Sequence, residues 1–66
     1  MTIRLSPRER EVVSRLAQGS GRKAIAAELH ISVRTVAQHL ANARLRNHLA
    51  RTGQLVFLML TEKQQP

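Results

Sequence analysis

The sequence predicts an all-α fold of four short helices with a helix-turn-helix at its centre. Apolar residues recur at spacings of three and four along four segments, and no segment alternates in the manner of a strand. Glycines or a capping serine separate the segments. The second and third segments are joined by only three or four residues, which is helix-turn-helix spacing. The chain has 66 residues, so we expect residues 1–66 to form a single domain.

The first helix is predicted over about residues 7–18. Ser6 can cap it, Pro7 suits the first helical position, and Glu9 completes a Ser-x-x-Glu capping box. Gly19 and the two residues after it end the helix. The residues expected to face the core share one helical stripe, namely Val12, Val13, Leu16 and Ala17.

The second and third helices form the predicted helix-turn-helix, over about residues 22–47. The second spans about residues 22–29, and Ser32 is a ready N-cap for the third. Asn47 falls in the buried stripe of the third helix, so we expect the helix to lose its regularity there and Leu49 to close the core. The rest of that stripe is Val36, Leu40 and Ala43, and the opposite side carries Arg34, Gln38, Ala41 and Leu45.

The fourth helix is predicted over about residues 54–62, after a break at Thr52 and Gly53. Its expected buried stripe is Leu55, Val56, Met59 and Leu60. This stripe leaves Phe57 and Leu58 pointing elsewhere, and two adjacent large apolar residues outside a core indicate a partner surface. The alternative is a core that is large for so small a domain.

The charge balance favours nucleic acid as the partner. Eleven Lys and Arg oppose four Glu, which gives a net charge of +7, and no acid lies between Glu28 and Glu62. A small domain of this kind most often binds nucleic acid. The alternative is a basic solvated surface or a ribosomal-type fragment.

Several other classes of protein are disfavoured. No cysteine is present, and His30, His39 and His48 recur every nine residues, so alternate ones face opposite ways and a shared metal site is not expected. Four carboxylates without two acids beside a histidine offer no general acid–base pair, so we expect neither an enzyme nor a cofactor. The longest apolar run has six residues, against roughly 20 for a membrane span, and no signal peptide is visible. We therefore expect a cytoplasmic protein without a membrane partner.

Four blocks of the sequence resemble the DNA-binding domain of the LuxR/FixJ (GerE-type) transcriptional regulators. These blocks are LSPREREVV, LAQG, IAAELHIS and TVAQHLAN, in the family's order over about residues 5–60. Region 4 of sigma factors shares the LSPRERE opening and the IS-x-x-TV segment, but His39-Leu40-x-Asn42 and RTGQLV favour the LuxR type. The resemblance implies a regulator that binds double-stranded DNA through the helix after Ser32 and dimerises through the last helix. The alternative is an interaction module for RNA polymerase or another protein.

The resemblance also implies which residues contact DNA. By position, Ala37, Gln38 and Ala41 face the bases, whereas Arg22, Lys23 and Thr35 contact phosphates. Arg34 and Gln38 would form the hydrogen bonds, to guanine and adenine edges respectively. Alanines at positions 37 and 41 let the helix sit deep in the groove, where their methyl groups can contact thymine methyls. The alternative is that these alanines only favour helix formation.

The sequence departs from the family at several positions. The family usually has Lys or Arg at Ala37, a polar or basic residue near Ala41, and Glu at Ala24. A Leu-Gly pair of the family falls on Asn47 and His48, so we expect the exit from the third helix to be rebuilt.

Further basic residues are candidates for phosphate contacts. Arg44, Arg46 and Arg51 could follow the DNA backbone beyond the third helix, or else be solvated or pair with Glu62. His39 could contact a phosphate or sugar, or form a hydrogen bond between helices. The remaining charges of the first helix are expected to form a solvated face, and they are Arg8, Glu9, Arg10, Glu11 and Arg15.

The expected oligomeric state follows from the length of DNA that one helix can read. One helix covers too few base pairs to select a site alone, whereas a two-fold dimer reads two half-sites about 10 bp apart. We expect a homodimer packed through the last helix, with Phe57 and Leu58 at its interface, that reads an inverted repeat. The chain is expected to be either a stand-alone regulator or an excised domain, and a stand-alone regulator without a sensor domain would suit a small repressor.

Overall fold

The computed structural model describes the backbone of residues 3–63 and the side chains of residues 3–61. Four helices fill this range: α1 (Pro7–Ala17), α2 (Arg22–Leu29), α3 (Val33–Arg46) and α4 (Thr52–Lys63). The described backbone contains no strand, and the predicted all-α class is confirmed. α2 has the predicted bounds, α1 ends one residue earlier than predicted, and α4 begins two residues earlier.

The starts of α1 and α3 follow their predicted caps. The Ser6 hydroxyl accepts from the Glu9 backbone N–H at 3.2 Å, and the Ser6 N–H donates to Glu9 Oε1 at 3.0 Å, which completes the capping box. At the start of α3, the Ser32 hydroxyl accepts from the Thr35 N–H at 3.0 Å. α2 begins after Gly21 without a side-chain cap, so its first N–H groups lack a side-chain acceptor.

Three helices end in the same hydrogen-bonded turn, with one residue in the left-handed conformation. That residue is Gly19 after α1, at φ 99°, and His30 and His48 after α2 and α3, both at φ 57°. In each turn the next N–H bonds to a carbonyl five residues back, for example Leu49 to Arg44 at 2.8 Å. His48 therefore has the left-handed backbone that glycine favours, at the position where the family resemblance has glycine.

One core joins the four helices and the segment before α1. α1 packs against α3 and α4, and α2 packs against α3. Ile3, before α1, is also buried, and no local sequence pattern indicated it. The buried apolar residues are Ile3, Val12, Val13, Ile25, Ala26, Val36, Leu40, Ala43, Leu55 and Met59.

The orientation of α4 differs from the prediction. Leu60 is 43% exposed, whereas Leu58 is half-buried and packs against the core. The reason is geometric, because Leu58 lies about 60° from the buried Leu55 on the helix and Leu60 about 140° away. The expectation that Leu60 faces the core and Leu58 faces outward was wrong.

The charged face of α1 is solvated only in part. Arg8 Nη1 and Glu11 Oε2 form an exposed pair at 3.1 Å, as expected for a solvated face. Arg15 Nη1 instead reaches Glu28 Oε1 of α2 at 2.5 Å. Glu9, expected to be solvated, is only 3% exposed.

Within residues 3–63, none of the helices has the length and apolar character needed to cross a lipid bilayer. In the same range, no group of three or more histidine and acidic side chains could hold a metal ion.

Candidate nucleic-acid interface

The side of α3 opposite the core carries four residues, which we call the outer face of α3: Arg34, Gln38, Ala41 and Leu45. On a helix with about 100° per residue they fall within about 60° of one another, and their centre lies about 160° from the buried stripe. Three of them are exposed and Ala41 is half-buried. The structure thus brings together three of the predicted base-reading residues.

Ala37, the fourth predicted base-reading residue, lies on a flank of α3. It is exposed, but its direction is about 70° from the centre of the outer face. Val33 lies beside it on the same flank and is 42% exposed. Val33 and Ala37 present small apolar groups on this flank, and Arg44 lies farther along it.

The other flank of α3 carries Thr35 and His39. The Thr35 hydroxyl lies 2.9 Å from the Ser32 hydroxyl, at the N-terminus of the helix. His39 is half-buried and lies nearer the buried stripe than the outer face. Among the described residues it has no hydrogen-bond partner, so the alternative of a bond between helices is not realised there.

The basic side chains divide into paired and unpaired groups. The three glutamates with described side chains are paired with arginines: Glu9 with Arg46, Glu11 with Arg8, and Glu28 with Arg15. Five exposed cations have no ion pair or hydrogen bond from their side chains within residues 3–61, namely Arg4, Arg22, Lys23, Arg34 and Arg51. Three of these five belong to α2 and α3, so the helix-turn-helix carries most of this unpaired positive charge.

Arg46 has a partner that the sequence did not indicate. Its Nη1 donates to Glu9 Oε1, and the Glu9 carboxylate is almost fully buried while the Arg46 side chain is 44% exposed. We had expected Arg46 to contact phosphate or to pair with Glu62. In this fold its guanidinium instead neutralises a buried charge and connects the end of α3 to the start of α1.

Asn47 provides a second connection at the same end of α3. Its Nδ2 donates to the Arg4 carbonyl at 2.7 Å, and the Arg4 N–H donates to its Oδ1 at 2.6 Å. A third bond runs from Nδ2 to the Ala43 carbonyl at 2.8 Å. α3 ends at Arg46 and Leu49 packs against the core, as predicted. Asn47, the polar residue in the buried stripe, therefore binds the segment before α1 to the end of α3.

Arg44 and Arg51 were also predicted to contact phosphate. Arg44 is half-buried, and its Nη1 donates to the Thr52 hydroxyl at 3.2 Å, so it connects α3 to α4. Arg51 is exposed in the loop between these helices. Its alternative partner, Glu62, has a side chain outside the described residues.

A second surface lies on α4. Phe57 is 67% exposed, Leu60 is 43% exposed and Val56 beside Leu60 is half-buried, and we call these three residues the outer face of α4. A groove of about 290 Å³ runs beside Phe57 and is lined by Leu49, Gly53, Gln54, Phe57 and Leu58. The predicted interface residue Leu58 therefore borders the groove while packing on the core.

Residues 4–57 match the family described as bacterial regulatory proteins, luxR family. The chain belongs to this family. A 42-residue segment is 52% identical to the "Transcriptional activator protein BjaR1" of Bradyrhizobium diazoefficiens. The matched segment covers 64% of this chain and 17% of that protein. The chain is therefore a LuxR-type helix-turn-helix domain of a DNA-binding regulator. The luxR family consists of regulators and not enzymes, in agreement with the sequence analysis.

Sequence reasoning gave no role to several residues near this surface. Leu45 shares the helical spacing of Arg34 and Gln38, so a wheel alone could have selected it. Asn42 is exposed beside the outer face of α3 and was used only to recognise the family. The Glu9–Arg46 pair joins residues 37 positions apart, and no local pattern indicates such a contact.

Proposed function

We propose that this domain recognises a specific double-stranded DNA sequence by inserting the outer face of α3 into the major groove. The observation that carries the proposal is that Arg34 and Gln38 lie together on this face, exposed and without partners within residues 3–61. Arginine can bond two acceptors of guanine, and glutamine can bond the donor and acceptor of adenine. The half-buried Ala41 beside them on this face leaves room for a close approach.

Phosphate contacts would fix the position of α3 on the duplex. Arg22 and Lys23 occupy the first turn of α2, where free backbone N–H groups also favour an anion. Thr35 at the start of α3 and Arg51 after it could contact phosphates on either side. Because Arg44 and Arg46 are engaged with α4 and α1, we give them connecting roles instead.

The test is selection of bound sites from a random DNA pool, followed by binding measurements at several salt concentrations. A specific site should emerge, and it should bind far more tightly than random DNA. Lys23→Ala should make the dependence of log affinity on log salt shallower by roughly one unit, because one phosphate contact is lost. Arg8→Ala is the matched control, since Arg8 is paired with Glu11 on α1 and its loss should leave the slope unchanged. Selection of no preferred sequence would contradict the proposal.

We further propose that two copies bind an inverted repeat and pack through the outer face of α4. Phe57 and Leu60 support this surface, and no residue from 52 to 61 carries a charge that would oppose apolar contact. In a two-fold dimer each Phe57 could enter the groove beside the other, because such an interface pairs a surface with itself. One short helix per subunit buries little area, so the free dimer should be weak and form mainly on DNA.

The sign of regulation and the contact with RNA polymerase stay predictions. The relative that matches part of the chain is named a transcriptional activator, whereas the sequence analysis expected a repressor. A reporter gene with the selected site placed upstream of, or across, its promoter would separate activation from repression. Activation and repression both require recognition of DNA by the domain.

A further inference from the structure

Leu45 is the most exposed large apolar residue among those with described side chains, at 75%. The apolar residues of the buried stripe on the same helix, Val36 and Leu40, are exposed by 0% and 1%. A single exposed leucine is common on protein surfaces and needs no explanation by itself. The direction of Leu45 on α3 and the residues around it indicate a functional role.

Leu45 continues the outer face of α3. Arg34, Gln38, Ala41 and Leu45 follow at spacings of four, three and four, which keep them on one side of a helix. At a rise of 1.5 Å per residue these eleven steps span about 16 Å, close to five base-pair steps at 3.4 Å each. If Arg34 and Gln38 contact bases at one end of a half-site, Leu45 faces the other end.

The two basic neighbours of Leu45 in sequence are engaged within the fold, since Arg44 donates to Thr52 and Arg46 to Glu9. Leucine itself has no donor or acceptor. In the major groove the apolar group on the base edges is the C5 methyl of thymine. A lone apolar side chain here therefore matches a single methyl group.

A protein partner fits this surface less well. The residues one turn away on either side, Asn42 and His48, are exposed and polar, and Ala41 is small. Leu45 is therefore not part of a contiguous apolar patch of the size that marks protein interfaces. The large exposed apolar residues Phe57 and Leu60 belong to another helix, α4.

We propose that Leu45 is a specificity-determining residue that packs against the C5 methyl of one thymine in each half-site. The inference rests on the proposed function, because it requires α3 to lie in the major groove. It adds an apolar contact near the C-terminal end of α3 to the hydrogen bonds of Arg34 and Gln38.

The test removes single methyl groups from the DNA. Each thymine of the selected site is replaced in turn by deoxyuridine, symmetrically in both half-sites, and affinity is measured for the wild type, Leu45→Ala and Leu45→Met. The wild type should lose about fourfold per methyl at one position, since one buried carbon contributes about that much. Leu45→Ala should bind the unmodified site more weakly and be indifferent to deoxyuridine at that position alone. Leu45→Met keeps an apolar side chain of similar reach and should retain the methyl dependence.

The outcomes separate this inference from the proposed function. Losses on deoxyuridine that are the same in Leu45→Ala as in the wild type at every position would overturn the inference, while specific binding would still support the proposed function. Failure of the wild type to select any site would overturn both. Because Leu45 is so exposed, the thermal midpoint of Leu45→Ala should equal that of the wild type, which confirms that lost affinity is not lost folding.

Discussion

Arg34 and Arg46 lie on the same helix but have different surroundings. Arg34 is exposed on the outer face of α3 without a partner in residues 3–61, whereas Arg46 donates to the buried carboxylate of Glu9. An unpaired guanidinium can form two hydrogen bonds to guanine without breaking an existing contact. A paired one would have to leave a buried charge uncompensated. The partners of each arginine therefore support the proposed base contact of Arg34 and a role for Arg46 in holding the fold.

Arg34→Ala and Gln38→Ala should each weaken binding to the selected site by about 1–3 kcal/mol and relax the preference at one base pair. Binding to random DNA should change less, because base contacts contribute little there. Competition of labelled specific DNA with unlabelled random DNA measures both quantities. Equal losses on specific and random DNA would mean that these side chains contact phosphates and not bases.

His48→Gly should stabilise the fold by roughly 0.5–1 kcal/mol. A non-glycine residue in the left-handed region costs about 1–2 kcal/mol, part of which is offset by the greater freedom of glycine in the unfolded chain. The matched control is His39→Gly, the same chemical change inside α3, which should destabilise the fold by at least about 0.5 kcal/mol. Thermal midpoints of the three proteins measure the effect, and a lower midpoint for His48→Gly would show that the imidazole contributes more than the backbone conformation costs.

At the scale of the helices, two polar contacts hold the C-terminal end of α3. Arg46 bonds to Glu9 in α1, and Asn47 bonds to both backbone groups of Arg4 and to the carbonyl of Ala43. These contacts fix α3 against the segment where α1 begins. Under the proposed function, the orientation of α3 in the groove depends on residues that would not touch DNA.

Arg46→Ala should lower the free energy of unfolding by about 2 kcal/mol, because within residues 3–61 it leaves the buried Glu9 carboxylate with the Ser6 N–H as its one remaining partner. The value is below that of fully buried pairs, since the Arg46 side chain is 44% exposed. Arg8→Ala removes an arginine from the exposed pair with Glu11 and should cost no more than about 1 kcal/mol. Urea denaturation compares the two variants, and equal losses would contradict the role given to the Glu9–Arg46 pair.

Local chemistry predicted where the helices begin and end better than it predicted which side chains are buried. Ser6, Ser32 and Gly19 mark helix ends through bonds to residues nearby in sequence, and those ends were predicted to within a residue or two. The run at residues 55–60 is apolar throughout, so no polar residue indicates which side of α4 faces water. The predicted environments of Leu58 and Leu60 were therefore the reverse of the observed ones. The burial of Glu9 depends on a partner 37 residues away, which periodicity does not reveal.

At the scale of the whole molecule, the net charge of +7 is not spread evenly. The described glutamates neutralise arginines of α1 and the end of α3, while the unpaired cations of α2 and the start of α3 keep their full charge. A field concentrated on one side orients the domain as it approaches a polyanion and raises the association rate. The same distribution leaves α4 without charge over residues 52–61, where a second copy can approach.

Phe57→Glu should abolish cooperative binding to the full inverted repeat while leaving the monomer folded. Phe57 is 67% exposed, so a carboxylate there remains solvated in the monomer, but in a dimer it would place two like charges in an apolar contact. Gel mobility on full and half sites, with the stoichiometry from sedimentation, measures the effect. We expect an unchanged half-site affinity and one bound copy at concentrations where the wild type binds as two.

Two further variants identify the face of α4 that forms the interface. Gln18→Glu introduces the same charge at an exposed position just after α1 and should leave cooperativity intact. Leu58→Glu would place a charge on the side that packs against the core, so it should lower the thermal midpoint before it affects assembly. If Phe57→Glu still occupies the full site as two copies with wild-type affinity, the outer face of α4 is not the interface. The two copies would then have to associate through α1 or through DNA alone.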